Sequence, residues 1–253
     1  MPPAPGTILV VPCYNEERRL PRAVFRAFAE MWTEGRLLFV DDGSVDGTRS
    51  VLDGLCAATP GRVEVLGLGH NQGKAEAVRR GMLRAFEGQP RFVGFWDADL
   101  ATPLETLPLF QEVFRERPDT EIVLGARVRL LGHDVRRNPT RHYLGRVFAT
   151  LVSLTLGLEL YDSQCGAKLF RPTPDVQALF ARPFRSRWIF DVELLARFAA
   201  VKRARGERDV EPFLYELPLP VWHDVAGSKV RPRDFVRAVL DLAGIYQERR
   251  RAG

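Results

Sequence analysis

The chain has 253 residues, 45% of them hydrophobic, which is enough to bury the core of one domain or of one domain with a small subdomain. The formal net charge of +5 favours an anionic partner, and nucleic acid, a nucleotide diphosphate and an anionic membrane surface all meet that description. Three widely spaced cysteines, Cys13, Cys56 and Cys165, exclude a disulfide framework and a CxxC metal site and are typical of a reducing cytoplasm.

The N-terminus and the most hydrophobic stretch indicate where in the cell the protein is expected. The opening MPPAPGTILVVP has neither the basic start nor the long hydrophobic core of a signal peptide. The stretch Val147–Leu158 is about 12 residues long, whereas a helix needs roughly 20 to span a bilayer. We therefore predict a cytoplasmic protein that is soluble or peripheral at the membrane surface.

The first half alternates short hydrophobic runs with helical patterns. The predicted strands are Thr7–Val11, Arg36–Val40, Arg62–Leu66, Arg91–Trp96 and Glu121–Leu124. The predicted helices between them are Arg18–Trp32, Thr48–Ala58, Gly73–Phe86 and Leu104–Phe114. Nearly uninterrupted hydrophobic runs are typical of strands buried on both faces, and their alternation with helices indicates crossover connections. The pattern predicts an α/β fold with a mostly parallel central sheet and helices on both faces.

The second half is less regular. It contains a helical stretch at about His142–Leu160, a short segment Ser163–Arg171, a helix near Asp191–Lys202, a strand near Phe213–Val221 and an amphipathic helix Asp234–Arg251. We find no repeat, low-complexity tract or flexible linker in the sequence. We predict a single domain over residues 1–253.

Polar clusters stand at or shortly after the ends of successive predicted strands. They are Pro12–Glu17 (PCYNEE), Asp41–Ser44 (DDGS), Asn71–Lys74 (NQGK) and Asp97–Asp99 (DAD). Ligands of open α/β sheets bind at the carboxyl ends of the strands, so the clusters are expected to converge on one crevice. Each cluster has a structural alternative, because Asn15 and Ser44 are typical helix caps and DDGS is a typical turn. Taken together they favour a binding site.

The pair Asp97 and Asp99 is the most informative of these clusters. The two carboxylates follow a buried strand and can share one divalent ion, with water and phosphate oxygens completing its shell. Such an ion neutralises the charge that develops on a departing diphosphate. A solvated acidic turn is the alternative.

The glycine-rich segment Gly67–Lys74 (GLGHNQGK) matches neither common nucleotide-binding motif. The spacing of Gly69 and Gly73 excludes GxGxxG, and a P-loop would need glycine at Leu68 and a hydroxyl residue at Ala75. What remains is a loop entering a helix with Lys74 in its first turn, which suits an anionic ligand.

Four motifs in this order and spacing resemble the family 2 glycosyltransferases with the GT-A fold: VVPCYNEE, VDDGSVDGT, NQGKAEAVRRG and DADL. Three further segments resemble the branch of dolichyl-phosphate glucosyltransferases and dolichol-phosphate mannose synthases: Asp162–Phe170, Phe190–Leu195 and Gly227–Val230. The resemblance covers roughly Ile8 to Leu242. It implies a nucleotide-sugar-binding half at about 7–125 and an acceptor-binding half at about 126–253.

The resemblance also implies which residues bind the donor. The nucleoside pocket would be lined by Pro12, Tyr14, Glu16 and Asp41, with Asp42 at the same rim. Asp41 would face the base edge, where the N–H of a neutral uracil satisfies it, so a UDP-sugar is favoured and a GDP-sugar stays open. Asp97 would hold the ribose or assist the metal, and Asp99 would ligate Mg²⁺ or Mn²⁺. Lys74 would lie near the nucleotide, and Ser228 and Lys229 would close over the diphosphate.

For the acceptor, Arg127 and Arg141 match the arginines that relatives present to a phosphate, which the planar guanidinium group can bind bidentately. General basicity of this region is the alternative, above all for Arg141. Asp191 would be the catalytic base for a hydroxyl acceptor, or would bind donor-sugar hydroxyls if the acceptor is a phosphate. Alternatively, Asp191 and Glu193 only stabilise a helix start. For His223 a structural role is favoured over a further metal ligand.

These implications define an inverting hexosyltransferase that transfers glucose from UDP-glucose to a polyprenyl or dolichyl phosphate. The alternatives are a soluble family 2 enzyme acting on a sugar or small-molecule hydroxyl and, less favoured, a nucleotidyltransferase. Nucleic acid is not an expected partner, because the acidic crevice would repel its phosphates. The basic stretch Arg127–Arg146 suits an anionic lipid head group, and the terminal helix either lies at a membrane surface or docks as an ordinary helix.

Overall fold

The computed structural model describes residues 6–136, 139–187, 189–225 and 241–244, with the backbone alone at 139–144. The chain forms two compact units, Met1–Leu100 with Ala167–Pro183 and Ala101–Gly166 with Phe184–Gly253. The first unit therefore takes a segment from the second half of the sequence. The predicted helix Asp234–Arg251 lies outside the described residues except at 241–244, which are helical.

The elements follow one another in this order along the chain. They are β1 (Thr7–Cys13), α1 (Arg22–Met31), β2 (Gly35–Asp41), α2 (Thr48–Ala58), β3 (Val63–Gly67), α3 (Lys74–Glu87), β4 (Phe92–Trp96), α4 (Leu107–Glu116), β5 (Ile122–Ala126), β6 (Asp134–Arg136), α5 (Pro139–Leu156), β7 (Ala167–Phe170), α6 (Pro174–Phe180), α7 (Phe190–Ala204), β8 (Leu214–Pro218) and β9 (Val221–His223). The predicted elements of the first half are confirmed to within a few residues at their ends.

The strands of the first unit lie in the order β3-β2-β1-β4-β7. β1 pairs in parallel with β2 and β4, β2 pairs in parallel with β3, and β7 runs antiparallel to β4. The register places Cys13 beside Asp41 and Asp41 beside Gly67, so the carboxyl ends of β1, β2 and β3 meet at one edge. The α/β class with a mostly parallel sheet is confirmed.

The core of the first unit covers both faces of its central strand. Leu9, Val10 and Val11 are consecutive and all fully buried, which requires packing on both sides of β1. Helix α3 packs closely at Gly81, where a Cβ atom would lie only 2.3 Å from Cγ1 of Val10. The absent side chain lets the helix lie directly on β1 and β2.

The second unit contains two parallel strand pairs, β5 with β8 and β6 with β9. The prediction of one strand at Phe213–Val221 is wrong, because β8 ends at Pro218 and Pro220 separates it from β9. Proline lacks the N–H that a continuing ladder needs. None of the helices in the described ranges is long and hydrophobic enough to cross a membrane.

Candidate active site

The first loop and the DDGS turn of the first unit are joined by reciprocal hydrogen bonds. The backbone N–H of Asn15 donates to Oγ of Ser44 at 3.0 Å, and Oδ1 of Asn15 accepts from the N–H of Val45 at 2.9 Å. Asn15 has a φ of 51°, a left-handed conformation that asparagine tolerates better than most residues. The helix-cap alternative for Asn15 and Ser44 is wrong, since the neighbouring helices are preceded by Pro21 and Gly47.

Asp41 ends β2 at the edge where the sheet strands converge. Its buried carboxylate accepts the N–H of Ser44 at 3.0 Å, and its carbonyl accepts the N–H of Leu68 at 2.9 Å. Pro12, Tyr14 and Glu16 are half-buried around the end of β1, the strand that pairs with β2. The structure thus brings the four predicted nucleoside-pocket residues to the ends of two neighbouring strands.

Asp42 has a structural task that the sequence did not predict. Its carboxylate accepts the N–H of Gln72 at 2.7 Å, the N–H of Gly73 at 2.8 Å and the side-chain amide of Asn71 at 2.9 Å. At Gly43, with a φ of 67°, a Cβ atom would lie 2.3 Å from the carbonyl carbon of His70. The DDGS turn therefore holds the glycine-rich loop in close contact.

Lys74 and Asp97 form an ion pair at the same edge. Nζ of Lys74 lies 2.5 Å from Oδ1 of Asp97, and the side chains are 42% and 34% exposed. Lys74 is the first residue of α3 and follows Gly73, whose φ is 95°. Ion pairs at such exposure contribute only about 0–1 kcal/mol, so an incoming ligand can displace this one at little cost.

Asp97 and Asp99 stand directly after β4, and both are half-buried. The next residue, Leu100, has a φ of 52°, a conformation that costs a non-glycine residue about 1–3 kcal/mol and is typical of functional loops. In the described part of the chain, no group of three or more His, Cys, Asp or Glu side chains is arranged to hold a metal ion. Two carboxylates suit a hard divalent ion only where other oxygen ligands, such as those of a diphosphate and water, complete its shell.

His223 pairs with a carboxylate in the second unit. Its Nε2 lies 2.7 Å from Oδ2 of Asp134, joining β9 to β6. Hydrogen bonds from Arg136 and then from His223 lower the pKa of Asp134. This contact agrees with the structural role favoured for His223.

Arg127 of the second unit lies in a bidentate ion pair. Its Nε and Nη2 donate to the two carboxylate oxygens of Asp162 at 2.5 and 2.7 Å, and its backbone N–H donates to Oδ2 at 3.1 Å. The Cζ atom of Arg127 also lies 5.3 Å from the centre of the Trp222 ring. The predicted acceptor arginine is thus held in a fixed orientation by Asp162.

Glu216 on β8 supports this pair from behind. Its carboxylate accepts the backbone N–H groups of Tyr161 at 2.7 Å and Asp162 at 2.6 Å. Burial raises the pKa of Glu216, against the lowering effect of these two hydrogen bonds. Neither Asp162 nor Glu216 was predicted as a site residue, although an acidic residue within the hydrophobic run LYELP was a usable signal.

Two buried carboxylates stand in the first turn of α7. Glu193 accepts the N–H groups of Arg185 and Ser186 at 2.9 and 3.3 Å and pairs with Arg197 at 2.6 Å. Glu193 therefore ties the preceding loop to the helix. Asp191 is buried in the same turn, where the helix dipole favours its negative charge.

Three predicted site residues are not placed by the structure. The side chain of Arg141 lies outside the described part, although its backbone belongs to α5. Ser228 and Lys229 lie wholly outside the described residues.

With these elements in place, comparison with known proteins defines the class. Residues 8–176 match the model of Glycosyl transferase family 2. The chain belongs to this family, which confirms the resemblance carried by the motifs.

Within the family, the chain is similar to dolichyl-phosphate beta-glucosyltransferases. It is 34% identical to the protein of this name from Drosophila melanogaster over 238 residues, covering 88% of this chain and 69% of the relative. It is 30% identical to the protein of this name from Homo sapiens over 242 residues, again covering 88% and 69%.

Solved structures share the fold. Glucosyl-3-phosphoglycerate synthase from Mycobacterium tuberculosis, in complex with Mn²⁺, UDP and glucosyl-3-phosphoglycerate, has a TM-score of 0.63 at 17% identity, covering 97% of this chain and 80% of that chain. Residues 1–349 of S. aureus TarS have a TM-score of 0.58 at 18% identity, covering 94% and 64%. The GT-A fold is confirmed by these likenesses.

Proposed function

We propose that the chain is an inverting, metal-dependent glucosyltransferase that transfers glucose from UDP-glucose to the phosphate of a polyprenyl or dolichyl phosphate. The observation that carries the proposal is the group of Lys74, Asp97 and Asp99 at the carboxyl edge of the first unit. A cation and two carboxylates at this edge fit a metal–diphosphate ligand. The named relatives favour glucose and a dolichyl phosphate.

Donor binding is assigned to the first unit. Asp41 and the half-buried residues after β1 would accept the nucleoside, and the loop held by Asp42 would follow the diphosphate. Asp99, with Asp97, would hold Mg²⁺ or Mn²⁺, which when bound neutralises negative charge on the diphosphate. Lys74 would exchange Asp97 for a phosphate oxygen.

Acceptor binding is assigned to the second unit. A phosphate monoester is already anionic and needs a cationic partner but no base. Arg127 supplies that cation in an orientation fixed by Asp162, and Arg141 is proposed as its companion. Asp191 is then proposed to bind hydroxyl groups of the donor sugar.

The reaction is a direct displacement. A phosphate oxygen of the acceptor attacks the anomeric carbon, the bond from that carbon to the β-phosphate oxygen of UDP breaks, and UDP leaves with the electron pair. Because the acceptor oxygen carries no proton, none has to be removed. Fixed charges and orientation supply the rate enhancement.

The test measures UDP release by the purified protein with Mg²⁺ or Mn²⁺, UDP-glucose or a GDP-sugar, and a short polyprenyl phosphate. We expect release from UDP-glucose that rises with the lipid phosphate and falls by about 10²–10³-fold in Asp99→Asn. Asp119→Asn, at an exposed position in the loop before β5 and so away from the carboxyl ends of the strands, is the control.

Release that a sugar hydroxyl stimulates and the lipid phosphate does not would assign a soluble acceptor and make Asp191 the base. Neither turnover nor binding of any nucleotide sugar would refute the proposed function.

A further inference from the structure

The start of helix α7 is held by a residue that comes much later in the chain. Asp241 lies in the short helical segment 241–244, and its Oδ2 accepts the hydroxyl hydrogen of Ser186 at 2.6 Å. The two residues are 55 positions apart in the sequence. A hydrogen bond of this length from a hydroxyl to a carboxylate is charge-assisted and belongs to the stronger hydrogen bonds in proteins. The contact therefore ties segment 241–244 to the loop before α7.

Ser186 connects Asp241 to the helix itself. Its Oγ accepts the backbone N–H of Ile189 at 2.9 Å and donates to Asp241 at the same time. Ile189 stands immediately before α7, and its hydrophobic side chain makes no capping hydrogen bond. Ser186, which is only 1% exposed, thus supplies a polar contact at a helix start whose own first residue cannot provide one.

The backbone and the side chain of this loop are held by different carboxylates. Glu193 accepts the N–H groups of Arg185 and Ser186, whereas Asp241 accepts the hydroxyl of Ser186. Loss of the Asp241 carboxylate would leave the backbone bonds to Glu193 in place, so the loop should keep its fold. What changes is the hydroxyl of Ser186, which must find another acceptor and is no longer fixed in its orientation toward Ile189.

Asp191 lies where this orientation matters. It is the second residue of α7 and is 6% exposed, so its carboxylate is held in one place by its surroundings. A shift at the start of the helix moves this carboxylate with the backbone. At a group that contacts substrate, a misplacement of about 1 Å can cost about 10²-fold in rate.

We propose that Asp241 is a positioning residue, which through Ser186 fixes the first turn of α7 and with it the carboxylate of Asp191. The inference rests on the proposed function, in which Asp191 binds hydroxyl groups of the donor sugar. It adds to that function a residue near the C-terminus that acts through another side chain.

The test compares the affinities for UDP-glucose and for UDP, both measured by calorimetry with Mn²⁺. We expect Asp241→Ala and Ser186→Ala to bind UDP-glucose about tenfold more weakly and UDP as tightly as wild type, because only the sugar contact is disturbed. Asp241→Asn keeps an oxygen that accepts the hydroxyl of Ser186 and should recover most of the affinity. Asp209→Ala is the control, since the exposed Asp209 accepts the N–H of Glu211 between α7 and β8.

A double-mutant cycle separates positioning from a general loss of stability. In a chain that already carries Asp191→Ala, the further change Asp241→Ala should cause no additional loss of UDP-glucose affinity, because no carboxylate is left to misplace. Hydrogen exchange at the amide of Ile189 should be faster in Asp241→Ala than in wild type, since its acceptor is no longer fixed.

Equal affinity of Asp241→Ala and wild type for UDP-glucose would overturn the inference. So would an equal loss of affinity for UDP and UDP-glucose, or additive losses in the double variant, because either result would assign Asp241 a structural role alone. If wild type binds no nucleotide sugar, the proposed function fails and the positioning of Asp191 for the sugar fails with it. Hydrogen exchange at Ile189 then still decides whether Asp241 holds the helix start.

Discussion

The two units use their charged side chains in opposite ways. In the first unit, Lys74 and Asp97 meet at half-exposed positions and can exchange partners with a ligand. In the second, Arg127 and Asp162 are largely buried, with 18% and 7% of their side chains exposed, and Glu216 holds the backbone of Asp162. The difference shows that an exposed ion pair can give way to a ligand, whereas a buried one fixes the orientation of its side chains.

The strongest test of this comparison removes the buried carboxylate. Asp162→Asn should lower the free energy of unfolding by about 3 kcal/mol, because it leaves the charge of Arg127 partly buried without its counter-charge. Urea denaturation measures the change. Asp134→Asn is the control, since Asp134 pairs bidentately with Arg136 and also contacts His223, but its side chain is 46% exposed. A loss in Asp162→Asn no larger than in that control would contradict the comparison.

Asp42→Asn tests the hydrogen bonds by which Asp42 holds the glycine-rich loop of the first unit. An amide in place of the carboxylate turns a donor toward backbone N–H groups of the 71–73 loop, so we expect a loss of about 1–3 kcal/mol in the free energy of unfolding. UDP affinity, measured by calorimetry, should fall as well. The exposed Asp53→Asn serves as the control. Unchanged UDP affinity would show that the loop does not follow the diphosphate.

Glu216→Gln tests, through the pH dependence of stability, how Glu216 supports the buried pair of Arg127 and Asp162. The amide loses one of the two backbone hydrogen bonds, which costs about 1 kcal/mol. Burial raises the pKa of Glu216 above its ordinary value of 4.5, so the folded state favours the protonated carboxyl. The stabilisation that the protonated carboxyl provides is complete below pH 4.5 and is lost as pH rises through the raised pKa.

The wild-type advantage over Glu216→Gln should therefore shrink as pH rises, in urea denaturation from pH 4 upward. An advantage that grows with pH would mean that the two backbone hydrogen bonds outweigh burial and lower the pKa.

Lys74→Met should have the smallest effect on stability and a clear effect on the donor. The half-exposed pair contributes less than about 1 kcal/mol to folding. The KM for UDP-glucose should rise about tenfold, since a charged hydrogen bond to phosphate is lost. Arg49→Met breaks the exposed pair with Asp53 and should leave KM unchanged. Equal KM values in both variants would remove Lys74 from the donor site.

Much of the first unit was predictable from sequence because its signals are local. Four hydrophobic runs, each followed by polar residues, defined the parallel strands and the edge that carries Asp41 and Asp97. The short strand β7 was not predicted as such, because its antiparallel pairing of Phe170 with Val93 joins residues far apart in the chain. Helix α6 and strand β6 were also missed, since segments of seven and three residues show no clear period.

The second unit was less predictable for the same reason. Arg127 was singled out as a cation, but its partner Asp162 lies 35 residues away and the supporting Glu216 a further 54. No spacing rule within one sequence joins such positions. The nature of a charged residue was readable, whereas its partner depended on the fold.

Gly81 gives the donor site a mechanical dependence on the core. Helix α3 packs against Val10 at Gly81, which has no side chain, and the first residue of the same helix is Lys74. Seven residues of helix span about 10 Å. A methyl group added at Gly81 would displace the helix from the sheet and so move Nζ of Lys74 relative to Asp97. The distance between Lys74 and Asp97 at the surface thus depends on the close packing at Gly81 in the interior.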